Sequence, residues 1–209
     1  MSFAALHFLF FVLLLPQDSF TRFSYCRQNS VGLYESQCIE LDPSGSGEIR
    51  FRRRGADEVQ LAVVLSPAGK DRFIGMLAGV NFLAGARDYE SRRKVADLGR
   101  KRLVLETPSG RREAEFNYSD LKEVQALATF IEAMLNQETL VFDIGNAIQY
   151  DRLSIPKRLE QLETELKANR LGDPRRLVPL LDRIDQDARL LNYARAHARK
   201  LKEQVEAAK

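Results

Sequence analysis

The sequence predicts an α+β protein: a small antiparallel sheet with two packed helices, followed by a C-terminal helical hairpin. Three observations predict it. Short runs of alternating apolar and polar residues flank turns rich in Gly, Ser and Pro, two longer segments carry apolar residues at helical spacing, and the last third of the chain places leucines at heptad-like intervals. Strands interleaved with helices and then helices alone form the order in which helices pack on one face of an antiparallel sheet.

The first strand pair centres on Ile39 and Leu41, alternating with Glu40 and Asp42, and on Ile49 and Phe51, alternating with Arg50 and Arg52. Between them Asp42-Pro43-Ser44-Gly45-Ser46-Gly47 supplies hairpin turn residues. A third strand is expected over 59–65, after Gly55-Ala56-Asp57. Ser66-Pro67 opens a helix, with Ser as N-cap and Pro in the first turn; Phe73, Ile74, Leu77 and Val80 recur along it, and its end is expected near Gly85. Residues 102–107 and 112–118 make a second strand pair around Pro108-Ser109-Gly110, with Leu103, Leu105, Phe116 and Tyr118 sharing a buried face. Asp120-Leu121-Lys122-Glu123 has capping-box character, and Val124, Leu127, Ala128, Ile131 and Leu135 make the next helix amphipathic. Residues 38–137 therefore read as one α+β domain.

The flanking segments read differently. Residues 20–37 are polar without clear periodicity and are expected to be a linker. Residues 138–153 are expected to be a connector: Leu140, Phe142 and Ile144 alternate like a strand, Leu140, Ile144 and Ile148 lie four apart like a helix, and Gly145 favours neither. Residues 154–209 form the helical hairpin. Ser154-Ile155-Pro156 opens a helix carrying Leu159, Leu162 and Leu166 and ending at Gly172, and Asp173-Pro174 starts another. In the latter Leu177, Leu181, Ile184, Ala188, Leu191 and Ala198 approximate a heptad seam, continued by Leu201 and Val205. Unbroken over 174–208 this helix would be roughly 50 Å long. Pro179 is either tolerated near its start or marks a second start. The seam packs within the chain or serves a partner or a second copy.

Composition narrows the chemistry. The 209 residues are 44% hydrophobic with only 12 Gly and 7 Pro, which suits a globular chain with a real core. Two Cys and two His exclude a zinc cluster, a disulfide-rich scaffold and, in practice, a His-based triad. His197, among Arg195, Arg199 and Lys200, reads as a solvated residue. Gly45-Ser46-Gly47 lacks the flanks of a phosphate loop or a nucleophile elbow. No catalytic, cofactor-binding or metal-ligating residue is assigned, and no cofactor is expected. A pair such as Asp97 and Glu106 has the chemistry for acid–base work, but nothing in the sequence sets two acids across a cleft. Asp42, Asp57, Asp88 and Asp143 read as turn formers.

Residues 3–15, FAALHFLFFVLLL, are closed by Pro16-Gln17-Asp18 and fall short of the roughly 20 residues of a spanning helix. Their length suits a signal-peptide core, so residues 1–19 are read as a signal peptide or N-terminal anchor; the competing reading is a buried helix of the fold. The protein is then expected in the periplasm or outside the cell, with membrane association through this segment. In an oxidising compartment Cys26 and Cys38 would pair; elsewhere they would be two small hydrophobes.

Basic residues cluster at Arg52-Arg53-Arg54 and Arg100-Lys101-Arg102. Converging on one sheet edge, they would bind phosphate groups or an acidic protein. The competing reading is a solvated, acid-balanced surface, which the net charge of +3 favours. Nucleic acid is disfavoured as a partner and re-enters only if the leader reading fails.

The run DPSGSGEIRFRRRG, the block KVADLGRKRLVLETPSGRREAEFNY and the helical tail resemble uncharacterised exported proteins of bacteria. The likeness implies export, and neither an activity nor a catalytic residue. The expected function is that of a non-catalytic, exported or envelope-associated binding or scaffold protein. Its partner is expected to be a protein or envelope component, with self-association through the C-terminal helices. The alternatives are a carboxylate-based hydrolase and an intracellular nucleic-acid-binding protein.

Overall fold

Period-two alternation sends Phe23 and Tyr25, Ile39 and Leu41, Ile49 and Phe51, and Leu103 and Leu105 to one face of a six-stranded antiparallel sheet, where all are buried. The computed structural model describes residues 20–82 and 88–207. The strands are β1 (Arg22–Gln28), β2 (Tyr34–Leu41), β3 (Ser46–Arg53), β4 (Glu58–Val64), β5 (Arg100–Thr107) and β6 (Gly110–Phe116), in the spatial order β4-β3-β2-β1-β5-β6. Among the described residues five α-helices follow or interrupt them: α1 (Pro67–Val80), α2 (Lys122–Tyr150), α3 (Ile155–Lys167), α4 (Val178–Gln186) and α5 (Asn192–Ala207). The fold is thus α+β, as the sequence predicts.

Helix α1 begins as expected. The Ser66 hydroxyl accepts the Gly69 N–H at 3.1 Å, and Pro67 occupies the first turn, where its missing N–H costs nothing. The helix stops at Val80, where Asn81 takes the left-handed conformation with φ 48°, short of the expected end at Gly85, which lies outside the described residues. Its Phe73 ring packs edge-on against Phe23, with centroids 5.0 Å apart. Helices α1 and α2 pack on each other and, with the sheet, close a first core that runs from Phe23 to Leu135.

Several expectations are corrected. Residues 20–37 are no linker: they hold β1 and the start of β2. Their third inward position is Arg27 rather than an apolar residue, which hides the alternation. Residues 138–153 are no separate connector: α2, 29 residues and about 43 Å long in all, continues to Tyr150, and a 3-10 turn (Arg152–Ser154) leads into α3. The capping box does not form, because Asp120 turns to Ser91 and Arg93 and the N-cap Leu121 has no polar side-chain atom to accept a backbone N–H. Tyr118 lies beyond β6 under the Arg93 guanidinium, half-buried rather than in the core. The 50 Å helix is broken as well. A short 3-10 turn (Pro174–Leu177) precedes α4, Pro179 sits in the first turn of α4, and α4 ends at Gln186 before α5 begins. Helices α4 and α5 pack against each other as a hairpin.

Most of the heptad seam is spent inside the molecule, while Ala188 and Leu191 are exposed in the break between α4 and α5. Leu177, Leu181, Ile184, Ala198, Leu201 and Val205 are buried in a second core with Leu140, Ile144 and Ile148 of α2. Helix α2 therefore serves both cores: its first half packs on the sheet and its second chiefly on the helices, with Phe142 and Asp143 still reaching Phe51 and Arg53 of β3. Gln137 and Glu138 lie buried between the two cores. Gln137 exchanges two hydrogen bonds with the Asp173 backbone, at 2.9 and 3.0 Å, while Glu138 pairs with Arg176 at 2.9 Å. Polar side chains buried in this way need partners, and here they find them across the junction. The expected signal peptide or anchor at residues 1–19 lies outside the described residues. Among those described, no helix is long and apolar enough to cross a membrane.

Candidate functional site

The helices cover one face of the sheet, and the opposite face carries an unbroken row across all six strands: Gln60, Arg50, Cys38, Cys26, Arg102 and Glu115. Cys26 and Cys38, directly opposed on β1 and β2 with Cα atoms 4.1 Å apart, are joined in a disulfide. Around this staple arginines and glutamates alternate. Arg102 donates to Glu113 at 2.6 Å, and Arg50 pairs with Glu40 and, at 3.3 Å, with Glu48. Cross-strand pairs of opposite charge on so exposed a face contribute little to stability and leave a balanced surface.

The six basic residues that would form an anion patch if they met on one sheet edge do not converge. Period two sends neighbours to opposite faces, and β3 and β5 stand three strand spacings apart, about 14 Å. Arg52 faces out and pairs with Glu58 at 3.9 Å. Arg53 faces in, donates to Asp143 at 2.6 Å and lies over the Tyr34 and Phe51 rings. Asp143 is accordingly a helical ion-pair partner and no turn former. Arg54 donates to the carbonyls of Asn29, Ser30 and Gly32. Arg100 pairs with Glu90 and Glu115. The buried Lys101 ammonium donates to the Asn117 carbonyl at 2.7 Å and to those of Gly99 and Leu98, and burial lowers its pKa. Each charge is thus committed to this chain's own acids or carbonyls.

Beneath α2 lies a polar cluster that the sequence did not flag. The Tyr25 hydroxyl donates to Glu132 at 2.5 Å, Arg27 donates to Glu132 at 2.9 Å and to Gln37 at 2.6 Å, and Gln37 reaches Asn136 at 3.5 Å. Burial, reinforced by the Glu132 charge and hydrogen bond, pushes the Tyr25 phenol far above its ordinary range. Apart from the buried Arg27 Nε, which has no hydrogen-bond partner among the described residues, these groups satisfy one another and fasten α2 to the sheet.

Among the described residues, the acids that depart from their ordinary range are all held low. Asp97 is lowered first by the Ser30 hydroxyl, Asp120 by Ser91 and then Arg93, Glu163 by Lys167, and Asp187 by Arg189. A general acid needs the opposite shift. Asp97 and Glu106 stand near opposite ends of β5 and share no cleft. His197 is not a solvated residue: half-buried, it lies 3.0 Å from Glu163 and bridges α5 to α3. Among the described residues no group of three or more His, Cys, Asp or Glu side chains is disposed to hold a metal ion.

One end of the sheet remains. The β1–β2 loop exposes Val31 (74%) and Leu33 (61%), and the segment before β5 exposes Leu98 (49%) and Val95. These two segments are tied together and held firm. Ser30 donates to Asp97 at 2.5 Å, Asn117 brackets the second segment through the Leu98 N–H at 2.7 Å and the Ala96 carbonyl at 2.8 Å, and the Arg54 guanidinium pins the first. Both aliphatic pairs escape a sequence reading because they sit in turn-rich stretches without periodicity. Comparison with known protein families and with curated proteins finds no match for this chain.

Proposed function

We propose that the protein is an exported, envelope-associated binding protein without catalytic activity, and that a protein partner docks on the sheet end formed by Val31, Leu33, Val95 and Leu98. The observation that carries this reading is a stapled hairpin with an aliphatic tip: β1 and β2 are cross-linked by Cys26–Cys38 just below the loop that holds Val31 and Leu33 in solvent. Disulfides persist in oxidising compartments, and the apolar run at residues 3–15 would carry the chain to one. A loop fixed by a staple and by hydrogen bonds loses little freedom on binding, which favours affinity from a small apolar surface.

A photoreactive amino acid in place of Leu33, in cells expressing the chain, tests the reading. The expected result is a discrete adduct in the envelope fraction that is lost when Val31→Asp and Leu98→Asp are added. An adduct pattern no different from that given by the same group at Glu160 on α3 contradicts it.

A further inference from the structure

The two edges of the sheet differ in chemistry. β6 carries Arg111, Arg112, Glu113 and Glu115, and pairing it antiparallel with a copy of itself about its centre sets Glu113 against Glu113. Charges of this kind guard an edge strand against association. β4 reads Glu-Val-Gln-Leu-Ala-Val-Val and carries one charge, at its first residue. The Leu65 N–H donates to the Gly45 carbonyl at 2.9 Å, so antiparallel alternation turns the backbone groups of Val63, Leu61 and Val59 toward β3 and those of Glu58, Gln60, Ala62 and Val64 away from it. The Val64 carbonyl accepts from Arg176, whereas Gln60 and Ala62 are exposed and their outward N–H and C=O have no partner among the described residues. Val64 is 58% exposed beside them, and Val59 and Leu61, on the core face, are covered only in part.

We propose that the β4 edge is a pairing interface for a second copy of this chain, in which two β4 strands meet antiparallel about a two-fold axis at Leu61 and join two sheets into one. In this register Gln60 and Ala62 exchange backbone hydrogen bonds with Ala62 and Gln60 of the copy. Val59, Leu61 and Val63 abut their counterparts on the core face and extend the core. Glu58 falls opposite Val64, so no like charges are opposed. This self-complementarity favours a second copy over a foreign strand. With β6 guarded, the contact closes as a dimer instead of propagating.

Size-exclusion chromatography with light scattering on the whole chain tests the interface. A mass that rises toward twice that of the chain between micromolar and near-millimolar concentration is expected. Ala62→Pro removes an outward N–H without touching the β3 ladder, and Ala62→Lys adds charge at the same place. Each is expected to weaken association at least about tenfold, or 1.4 kcal/mol, with an unchanged circular dichroism spectrum, while Glu113→Lys on β6 leaves it intact. Should Ala62→Pro fail to fold, Ala62→Lys decides. A wild-type chain that stays monomeric throughout, or a dimer that survives both Ala62 variants in folded form, overturns the proposal.

Discussion

Asp173 accepts the Ser66 N–H and the Ser66 hydroxyl, both at 2.6 Å, while its own backbone is held by Gln137. One buried residue thereby joins the start of α1 through its side chain and the middle of α2 through its backbone to the C-terminal third. Asp173→Ala leaves the Ser66 donors without their acceptor and is expected to lower unfolding free energy by about 2–4 kcal/mol in urea titration. A loss within error of zero contradicts the junction described. Tyr25→Phe reports on the cluster under α2. A phenol whose folded pKa is raised contributes stability that is present below the unfolded value of about 10 and lost as pH rises beyond it. Wild-type melting temperature is therefore expected to drop above about pH 10, more steeply than that of Tyr25→Phe. At this scale the sequence reveals what is local. Ser66 as N-cap follows from Ser-Pro, but its bond to Asp173 spans 107 positions, and Asp173 itself reads only as a helix start.

The β1–β2 hairpin and helix α2 are where element and sequence diverge. β1 buries Phe23 and Tyr25 and then turns Arg27 inward, so a charged residue masks the period. In α2 the polar run around Gln137 and Glu138 reads as a break but faces the C-terminal segment, and Gly145 weakens the helical signal without ending the helix. An added Cβ at Gly145 meets nothing within 4 Å, so Gly145→Ala is expected to stabilise the protein by about 0.5–1 kcal/mol. A destabilising result contradicts a continuous α2. Replacing Cys26 and Cys38 together by Ser opens a staple across 12 positions and is expected to cost roughly 2–3 kcal/mol while the fold persists, because Phe23, Tyr25, Ile39 and Leu41 remain buried. The β2–β3 and β5–β6 hairpins, by contrast, were legible because turn chemistry and alternation agree there.

The molecule as a whole has two cores on one helix, with a polar junction between them. The basic clusters looked like a site because the sequence lists them side by side, and alternation and strand order then part them across two faces. The exposed aliphatic end was invisible for the converse reason, since Val31 and Leu98 are brought together only by the β1–β5 pairing. The lowered carboxyls of Asp97, Asp120, Glu163 and Asp187 bind protons more weakly in the folded state. Their contribution is present above about pH 4 and lost as pH falls through the lowered values, so melting temperature is expected to decline on acidification below that point. A melting temperature unchanged down to about pH 2 contradicts this balance of charges. The proposed function rests on a chain that is exported and oxidised. The most direct test is an intact mass, with and without reductant, on protein from separated cell fractions. The expected result is an envelope or external chain that gains two hydrogens on reduction. A cytosolic chain of full length with free thiols contradicts it.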